Sequence, residues 1–336
     1  MTIIRKLRHC DRQNVKKMIS FLGNDEAEMF VNKLISTSCS IFHYLLPLKL
    51  KFLSESYVVV DDNKDLHGMI SVIPIRGNAY KINIVKLLFK KDYYNIGKQL
   101  IEFIVAKYGA LGAQSFIVGI DESYEELQKL FIDGCGFRKC ASEELWRINE
   151  KDLKEIPRIE SFRRFKNSDA KAVATLFNNS LITHFKPSLQ KNKKEYKDYF
   201  FVGLFEDTEF KYVIEDSISH KIIAYFSIKT YDNINYIIDI ITSNGFSFDY
   251  DMILGYVKAQ IMKRKKSFTI FVKLKKYSQD YEKLEEYLTN NSCKCVKNKV
   301  ILFKNFYKLI KENIINNEVI LLSETNIHPI CEKSEL

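Results

Sequence analysis

Apolar residues along this chain alternate between the spacing of strands and the spacing of helices, and residues 81–108 contain both patterns. Residues 81–89 are rich in branched and apolar side chains, which predicts a strand. From Leu100 onward the apolar residues recur every three or four positions, which predicts an amphipathic helix. A short polar segment separates the two and predicts a turn, with Gly97 at the start of the helix.

This polar segment is a candidate anion-binding site. A strand that leads into a helix through such a turn leaves several backbone N–H groups unpaired, and they lie at the positive end of the helix dipole. Phosphate groups bind well at such a place. The residues of the predicted cradle are Tyr93, Tyr94, Asn95, Ile96, Gly97 and Lys98.

The first 150 residues predict a mixed α/β domain built around a mostly antiparallel sheet. The predicted order is a strand, helices, three antiparallel strands, a helix, a strand, a helix and a final strand. These elements fall at residues 2–7, 11–53, 57–60, 66–75, 81–89, 97–108, 115–120, 124–132 and 144–148.

The second half of the chain repeats this order. Residues 4–11 align with 162–169, residues 57–59 with 212–214, and residues 115–117 with 267–269, at offsets of 158, 155 and 152 residues. A slowly drifting offset indicates two copies of one fold that differ in loop length. We therefore predict domains at 1–150 and 161–310, a linker at 151–160 and a C-terminal extension at 311–336.

The segment around Gly97 resembles the acyl-coenzyme A loop of the GNAT superfamily of N-acetyltransferases, whose pattern is Arg/Gln-x-x-Gly-x-Gly/Ala between a strand and a helix. Gly97 matches the last glycine, whereas Asn95 and Asp92 stand where the family has glycine and Arg/Gln. The predicted order of elements is also similar to the family's fold. The resemblance implies two tandem acyl-CoA N-acyltransferase-like domains, with acetyl-CoA as the co-substrate.

The resemblance also implies roles for residues outside the turn. In the family, main-chain groups of the preceding strand face the thioester oxygen, and they correspond to Val85, Lys86 and Leu87. The family often places its proton donor in a Leu-Tyr pair on the later helix. The corresponding pair here is Leu130-Phe131, and phenylalanine has no proton to give.

Candidates for the general base and for the missing acid lie at the end of the strand at 115–120. Asp121 or Glu122 could draw a proton from the acceptor amine through water, and Tyr124 could replace the missing acid. The alternative is structural: the two carboxylates cap the next helix, and the tyrosine packs on the sheet. The sequence leaves both possibilities open.

The second copy lacks the features of a phosphate turn. Gly245 comes several residues before the predicted helix, and Asp249 and Asp251 occupy the helix start. These carboxylates would cap the helix and repel a phosphate. We expect this copy to be a degenerate partner of the first.

Composition limits the classes of protein to which the chain can belong. It has 336 residues, of which 46% are hydrophobic and 28% charged, which is typical of a globular protein. The net charge of +10 favours an anionic partner such as a nucleotide cofactor, but the lysines are scattered, so nucleic acid is not favoured. No apolar run reaches the roughly 20 residues that a membrane-spanning helix needs.

The seven cysteines form no Cys-x-x-Cys pair. This argues for reduced thiols in a cytoplasmic protein, and against a disulfide framework or a metal site.

We expect an N-acetyltransferase that moves an acetyl group from acetyl-CoA to a primary amine. One alternative is a non-catalytic acyl-CoA sensor or assembly module, which Phe131 and Asp92 favour. Another is an aminoacyl transferase of the twinned-GNAT type, although the phosphate-type turn argues against it. The sequence does not identify the acceptor, which would be a small-molecule or peptide amine, or the oligomeric state.

Overall fold

The computed structural model describes residues 2–20, 54–75, 77–89, 93–198, 208–230 and 232–306. These residues form one twelve-stranded sheet with hydrophobic clusters on its two faces, as the predicted mixed α/β class requires. Three predicted features lie outside the described residues: the helical segment up to residue 53, Asp92, and the extension at 311–336.

The first half contains six strands and three helices within the described residues. They are β1 (Ile3–Lys6), α1 (Arg12–Ser20), β2 (Glu55–Val60), β3 (Leu66–Ile75), β4 (Asn78–Phe89), α2 (Tyr93–Ala110), β5 (Ser115–Asp121), α3 (Glu125–Lys129) and β6 (Arg138–Ile148). A π-helical turn, Leu130–Gly134, extends α3.

The second half contains six further strands, together with helices on the described segments between them. They are β7 (Phe162–Arg164), α4 (Ala170–Ser180), α5 (Lys186–Leu189), α6 (Lys193–Tyr196), β8 (Thr208–Glu215), β9 (Ile222–Thr230), β10 (Asn235–Thr242), α7 (Tyr250–Met262), β11 (Thr269–Lys275), α8 (Tyr281–Asn290) and β12 (Lys294–Asn305).

The helix predicted to begin at Gly97 begins earlier, at Tyr93. The predicted polar turn is therefore the first turn of α2, and Gly97 lies inside the helix, where glycine is ordinarily unfavourable. Its role is close packing, because a Cβ at this position would lie 2.7 Å from Leu130 Cδ2. The final strand of the first half also begins earlier than predicted, at Arg138.

The tandem arrangement is visible in a repeated ion pair. Arg5 binds Asp11 through two hydrogen bonds of 2.7 and 2.8 Å, and Arg163 binds Asp169 through two of 2.8 and 3.1 Å. Each aspartate also accepts the backbone N–H three residues before it, at 2.8 and 2.7 Å. The same side-chain device thus fixes the same bend at the start of both copies.

The order of strands across the sheet is β1-β2-β3-β4-β5-β12-β6-β11-β10-β9-β8-β7. β12, the last described strand of the second half, pairs with β5 of the first, so that Val300 lies opposite Ile120. β6 of the first half pairs with β11 of the second, so that Trp146 lies opposite Val272. Since β12 and β6 also pair with each other, the two halves exchange their last strands.

The exchanged strands carry core side chains from one half into the other. Val300 and Leu302 of β12 lie in the hydrophobic cluster that α2 covers in the first half. Ile148 of β6 lies in the cluster that α7 covers in the second half. Each half therefore needs a strand of the other to complete its core.

Replacing Leu302 by alanine should show this dependence. Leu302 is fully buried, so Leu302→Ala should lower the free energy of unfolding by about 2–5 kcal/mol in urea denaturation. Val296→Ala is the control, because Val296 lies on the same strand but is 49% exposed, and it should change stability by less than about 0.5 kcal/mol. Equal effects of the two substitutions would contradict the exchange of core residues.

A partly buried carboxylate joins β2 to the carboxyl end of α2. Glu55 Oε2 accepts hydrogen bonds from the hydroxyls of Tyr57 and Tyr108 at 2.6 and 2.5 Å, and Lys6 Nζ lies 3.2 Å from Oε1. Burial acts to raise the pKa of Glu55, but the two hydroxyl donors and the lysine outweigh it and lower the pKa to about 2.

This lowered pKa predicts a pH-dependent stability. The pKa of Glu55 in the folded state lies below its ordinary value of 4.5, so the stabilisation is present above pH 4.5 and is lost as the pH falls towards 2. Glu55→Gln should lower the free energy of unfolding by about 1–2 kcal/mol at pH 7 and by less at pH 3. Denaturation at both pH values checks this, with the exposed Glu126→Gln as control; the same loss at both values would contradict the assignment.

Candidate functional site

The candidate site begins where β4 and β5 separate. These neighbouring strands run parallel and pair from Lys81 opposite Ser115 to Ile84 opposite Val118. Beyond this point β4 continues beside β3, and β5 continues beside β12. A cleft therefore opens between residues 85–89 of β4 and residues 119–121 of β5.

A β-bulge on β4 lies at the opening of this cleft. On β3, Ser71 is opposite Lys86 and the next residue, Val72, is opposite Ile84, so Val85 has no partner position. A bulge leaves the extra residue out of the hydrogen-bond ladder and bends the strand. The structure thus places Val85 and its neighbours Lys86 and Leu87, the predicted thioester contacts, along the edge of the cleft.

The head of α2 lies at the same end of β4. The first turn of an α-helix directs its backbone N–H groups towards the amino end, and here that turn begins at Tyr93. Tyr94 and Asn95 are exposed, so this head is not packed away in the core. The dipole of an 18-residue helix adds positive potential at this point.

Two further predicted residues border this head. Lys98 is half-buried, and its Nζ lies 3.8 Å from Glu102 Oε1 of the next turn. Gly97 is buried and allows Leu130 to approach α2 closely. The hydroxyl of Tyr94 reaches towards Gly134, the last residue of the π-helical turn. All six residues of the predicted cradle therefore lie in the first two turns of one helix.

Asp121 lies on the opposite side of the cleft, at the end of β5. Its Oδ1 accepts hydrogen bonds from the N–H and hydroxyl of Ser123 at 3.1 and 2.8 Å, and Lys297 Nζ lies 3.4 Å from Oδ2. Burial acts to raise the pKa of Asp121, but these hydrogen bonds and the lysine charge outweigh it and hold the pKa below its ordinary value. The carboxylate is therefore ionised at neutral pH.

Glu122 and Tyr124 follow Asp121 and are more exposed. Glu122 Oε2 accepts a hydrogen bond from Asn298 Nδ2 at 3.3 Å, and its backbone N–H donates to Asn298 O at 2.9 Å. Tyr124 is 62% exposed and immediately precedes α3. The three predicted catalytic residues thus lie at the carboxyl end of β5 and in the segment that leads into α3, where each is at least partly exposed.

Phe131, at the position of the family's proton donor, belongs to the core. It is 1% exposed, and its ring packs edge-on against Phe137 with centroids 5.0 Å apart. Its side chain therefore packs in the core of the first half and carries no ionisable group.

The corresponding cleft of the second half is closed by an ion pair. β10 and β11 run parallel, starting from Asn235 opposite Thr269, and β10 pairs with β9 without a bulge. Counted from this register, Asp239 takes the position of Val85, and Lys275 takes the position of Asp121. These two side chains form an ion pair in the interior, and Lys275 is only 6% exposed.

The head of α7 also differs from the head of α2, as the sequence predicts. Asp249 accepts the backbone N–H of Met252 at 3.1 Å, and Asp251 accepts the hydroxyl of Tyr287 at 2.5 Å. Two carboxylates therefore occupy the end of the helix where a phosphate would need positive potential.

Sequence reasoning missed the residues that the strand exchange brings to the site. Lys297 and Asn298 lie more than 170 positions after Asp121 and Glu122, yet they contact them directly. The bulge at Val85 has no sequence signal of its own. The closing pair of the second half does have one, since the repeat offset places Asp239 close to the position of Val85.

Two other properties of the described residues bear on the site. In this part of the chain, His, Cys, Asp and Glu side chains form no group of three that could hold a metal ion. No helix among the described residues has the length and apolar character needed to cross a membrane. The described cysteines carry free thiols; they are Cys10, Cys135, Cys140, Cys293 and Cys295.

Comparison with known proteins found no matching family model and no curated protein of similar sequence. Solved structures match nearly the whole chain. A GCN5-related N-acetyltransferase from Sphaerobacter thermophilus aligns with 90% of this chain and 95% of its own, with a TM-score of 0.57 and 11% identity. A tandem GNAT protein from the clavulanic acid biosynthesis pathway aligns with 91% and 98%, with a TM-score of 0.58 and 9% identity.

At these identities the likeness establishes the fold and nothing finer. The predicted resemblance to the GNAT fold is confirmed, including its occurrence in two tandem copies.

Proposed function

We propose that this chain is an N-acetyltransferase that moves an acetyl group from acetyl-CoA to a primary amine, and that its first half carries the activity. The observation that supports this best is the combination of an open β4/β5 cleft with the positive amino end of α2 at one end of the sheet. The second half has a closed cleft and an acidic helix head instead. The GNAT fold of the similar structures points to the same class of reaction.

The residues present fit a coenzyme with a diphosphate. Backbone N–H groups at the amino end of α2 would hold the diphosphate, with the charge of Lys98 nearby. The main-chain groups of β4 after the bulge would run beside the rest of the coenzyme. Both sets of contacts use main-chain groups. The side chains that differ from the family's sequence pattern, Asn95 and Asp92, therefore do not remove them.

Acetyl transfer requires two proton transfers, which side chains or solvent must carry out. As the new N–C bond forms and the C–S bond breaks, the amine must lose a proton and the leaving thiolate must gain one. Asp121 is ionised and can accept a proton through water, and Glu122 is the second candidate. Main-chain donors at Val85–Leu87 would stabilise the charge that develops on the carbonyl oxygen.

The proton donor to the thiolate cannot come from the position that the family uses. With Phe131 buried in the core, Tyr124 or solvent at the cleft mouth would supply the proton. Tyr124 is 62% exposed, so its side chain is accessible from solvent.

One observation favours a second function, that of a non-catalytic acyl-CoA sensor. Phe131 cannot donate a proton, and Asp121 is held by Ser123 and Lys297. A sensor needs the coenzyme cradle and neither of these groups. An acetyltransferase and a sensor would both bind acetyl-CoA, but only the acetyltransferase would release coenzyme A from it.

Thiol release from acetyl-CoA, in the presence of a mixture of primary amines, tests the proposed function. The unsubstituted chain should release coenzyme A, and Asp121→Asn should lower kcat by about 10²-fold with coenzyme binding unchanged, as expected for the loss of a general base. Asp65→Asn is the matched control, because it makes the same change at an exposed hairpin.

Binding of acetyl-CoA without thiol release from any amine would favour the sensor. Failure to bind the coenzyme would contradict both functions.

A further inference from the structure

The second half contains a separate cavity of about 230 Å³ at the opposite end of its sheet from the closed cleft. It lies between the amino end of β10 and the carboxyl end of α7, with β7 and β8 alongside. Its lining includes three cationic side chains, Arg164, Lys263 and Arg264, and no carboxylate among the residues that the structure describes.

The three cations lack ionic partners within the described part of the chain. The guanidinium of Arg264 stacks on the ring of Phe210, with its central carbon 3.8 Å from the ring centroid. Lys263 Nζ donates only to the neutral Gln260 Oε1, at 3.2 Å. The nearby carboxylate of Asp232 is already bound by the N–H groups of the turn before β10. Positive charge is thus concentrated here, and none of the three cations forms an ion pair with a described carboxylate.

Two buried tyrosines line the same cavity. Tyr212 is 3% exposed and Tyr236 is 2% exposed. Neither hydroxyl forms a hydrogen bond with another described residue. Both residues line the cavity, so their hydroxyls can add two hydrogen-bond donors to the three cations.

The first half has an internal anion at the corresponding place. Lys6 faces Tyr57 across β1 and β2, just as Arg164 faces Tyr212 across β7 and β8. The carboxylate of Glu55, two residues before Tyr57, binds both that lysine and that tyrosine.

The second half keeps the cation and the hydroxyl but replaces the carboxylate. Two residues before Tyr212 the chain has Phe210, whose position in the sheet corresponds to that of Glu55. An anion that one copy carries on its own chain is therefore missing from the other copy, while the groups that would bind it remain.

We propose that this cavity, the oxyanion pocket (Arg164, Tyr212, Tyr236, Lys263 and Arg264), binds the phosphate group of a small molecule. A phosphate suits it better than a single carboxylate, because three cations are available in place of the one lysine of the first half. The three cations and two tyrosines border one cavity of about 230 Å³, a size that favours a small ligand over a nucleic acid.

This site is independent of the proposed acetyltransferase function. It lies in the other half of the chain and at the amino end of β10, whereas the coenzyme cradle lies at the carboxyl end of β4. Loss of one site therefore leaves the other intact, and separate titrations distinguish their failures.

Calorimetric titration of the full chain with inorganic phosphate, at ionic strength held constant with chloride, tests the proposal. One phosphate should bind per chain. Arg264→Gln should weaken binding at least tenfold by removing a charge-assisted hydrogen bond, and Tyr236→Phe about fivefold by removing a neutral one. Lys265→Gln is the matched control, since Lys265 is exposed and does not line the pocket, and it should bind as the unsubstituted chain does.

Phe210→Glu provides a second, opposite test, because it gives the second half the carboxylate of the first. Phosphate should raise the thermal unfolding midpoint of the unsubstituted chain and leave that of Phe210→Glu unchanged. Coenzyme A titration of the same variant should be unaffected and also verifies that it is folded.

Several results would overturn the oxyanion pocket. They are the absence of phosphate binding to the unsubstituted chain, equal weakening by Lys265→Gln and Arg264→Gln, or tighter binding of acetate than of phosphate. Binding of a single-stranded oligonucleotide without binding of phosphate would also overturn it, since that would identify a polyanion surface.

Discussion

The exchange of β6 and β12 is the constraint on which the rest of this structure depends. β12 completes the core of the first half, β6 completes that of the second, and both also pair with each other. Without its borrowed strand, each half would expose two strand edges and part of its core, which are sites of aggregation. The exchange also places Lys297 and Asn298 beside the candidate catalytic carboxylates. The second half thus shapes the site even though it offers no coenzyme cradle of its own.

A row of opposed charges crosses this shared seam. In the register of the sheet Asp121 lies opposite Lys299, Lys299 opposite Glu143, and Glu143 opposite Lys275. Opposed positions in antiparallel strands place side chains on the same face, where unlike charges stabilise one another. At one end the row reaches the open cleft of the first half, and at the other it ends in the ion pair that closes the second. The two copies share a framework and differ in the positions of their charged residues. The carboxylate of Glu55 in the first half and the oxyanion pocket of the second half are another example of this difference.

The sequence predicts well those features that depend on local pattern. Strands such as β3 and β4, the repeat marked by Arg5 and Arg163, and the acidic head of α7 all follow from residue spacing and charge. The exchange of strands does not, because Val300 meets Ile120 through contacts between residues 180 positions apart. The bulge at Val85 likewise depends on register with β3, and no residue type marks it. The sequence predicts Gly97 at the start of a helix, whereas it lies inside α2, and its close contact with Leu130 requires the tertiary structure.

The central claim is that main-chain N–H groups at the head of α2 hold a diphosphate. It is tested most directly by titrating coenzyme A into Tyr93→Ala and Tyr93→Pro, which both lose the side chain, while only proline also loses the N–H. Proline is tolerated at the first position of a helix, so the fold should persist. We predict binding by Tyr93→Ala as by the unsubstituted chain, and binding about tenfold weaker by Tyr93→Pro, the effect of one charge-assisted hydrogen bond. Equal affinities of the two variants, or no heat with the unsubstituted chain, would contradict the account.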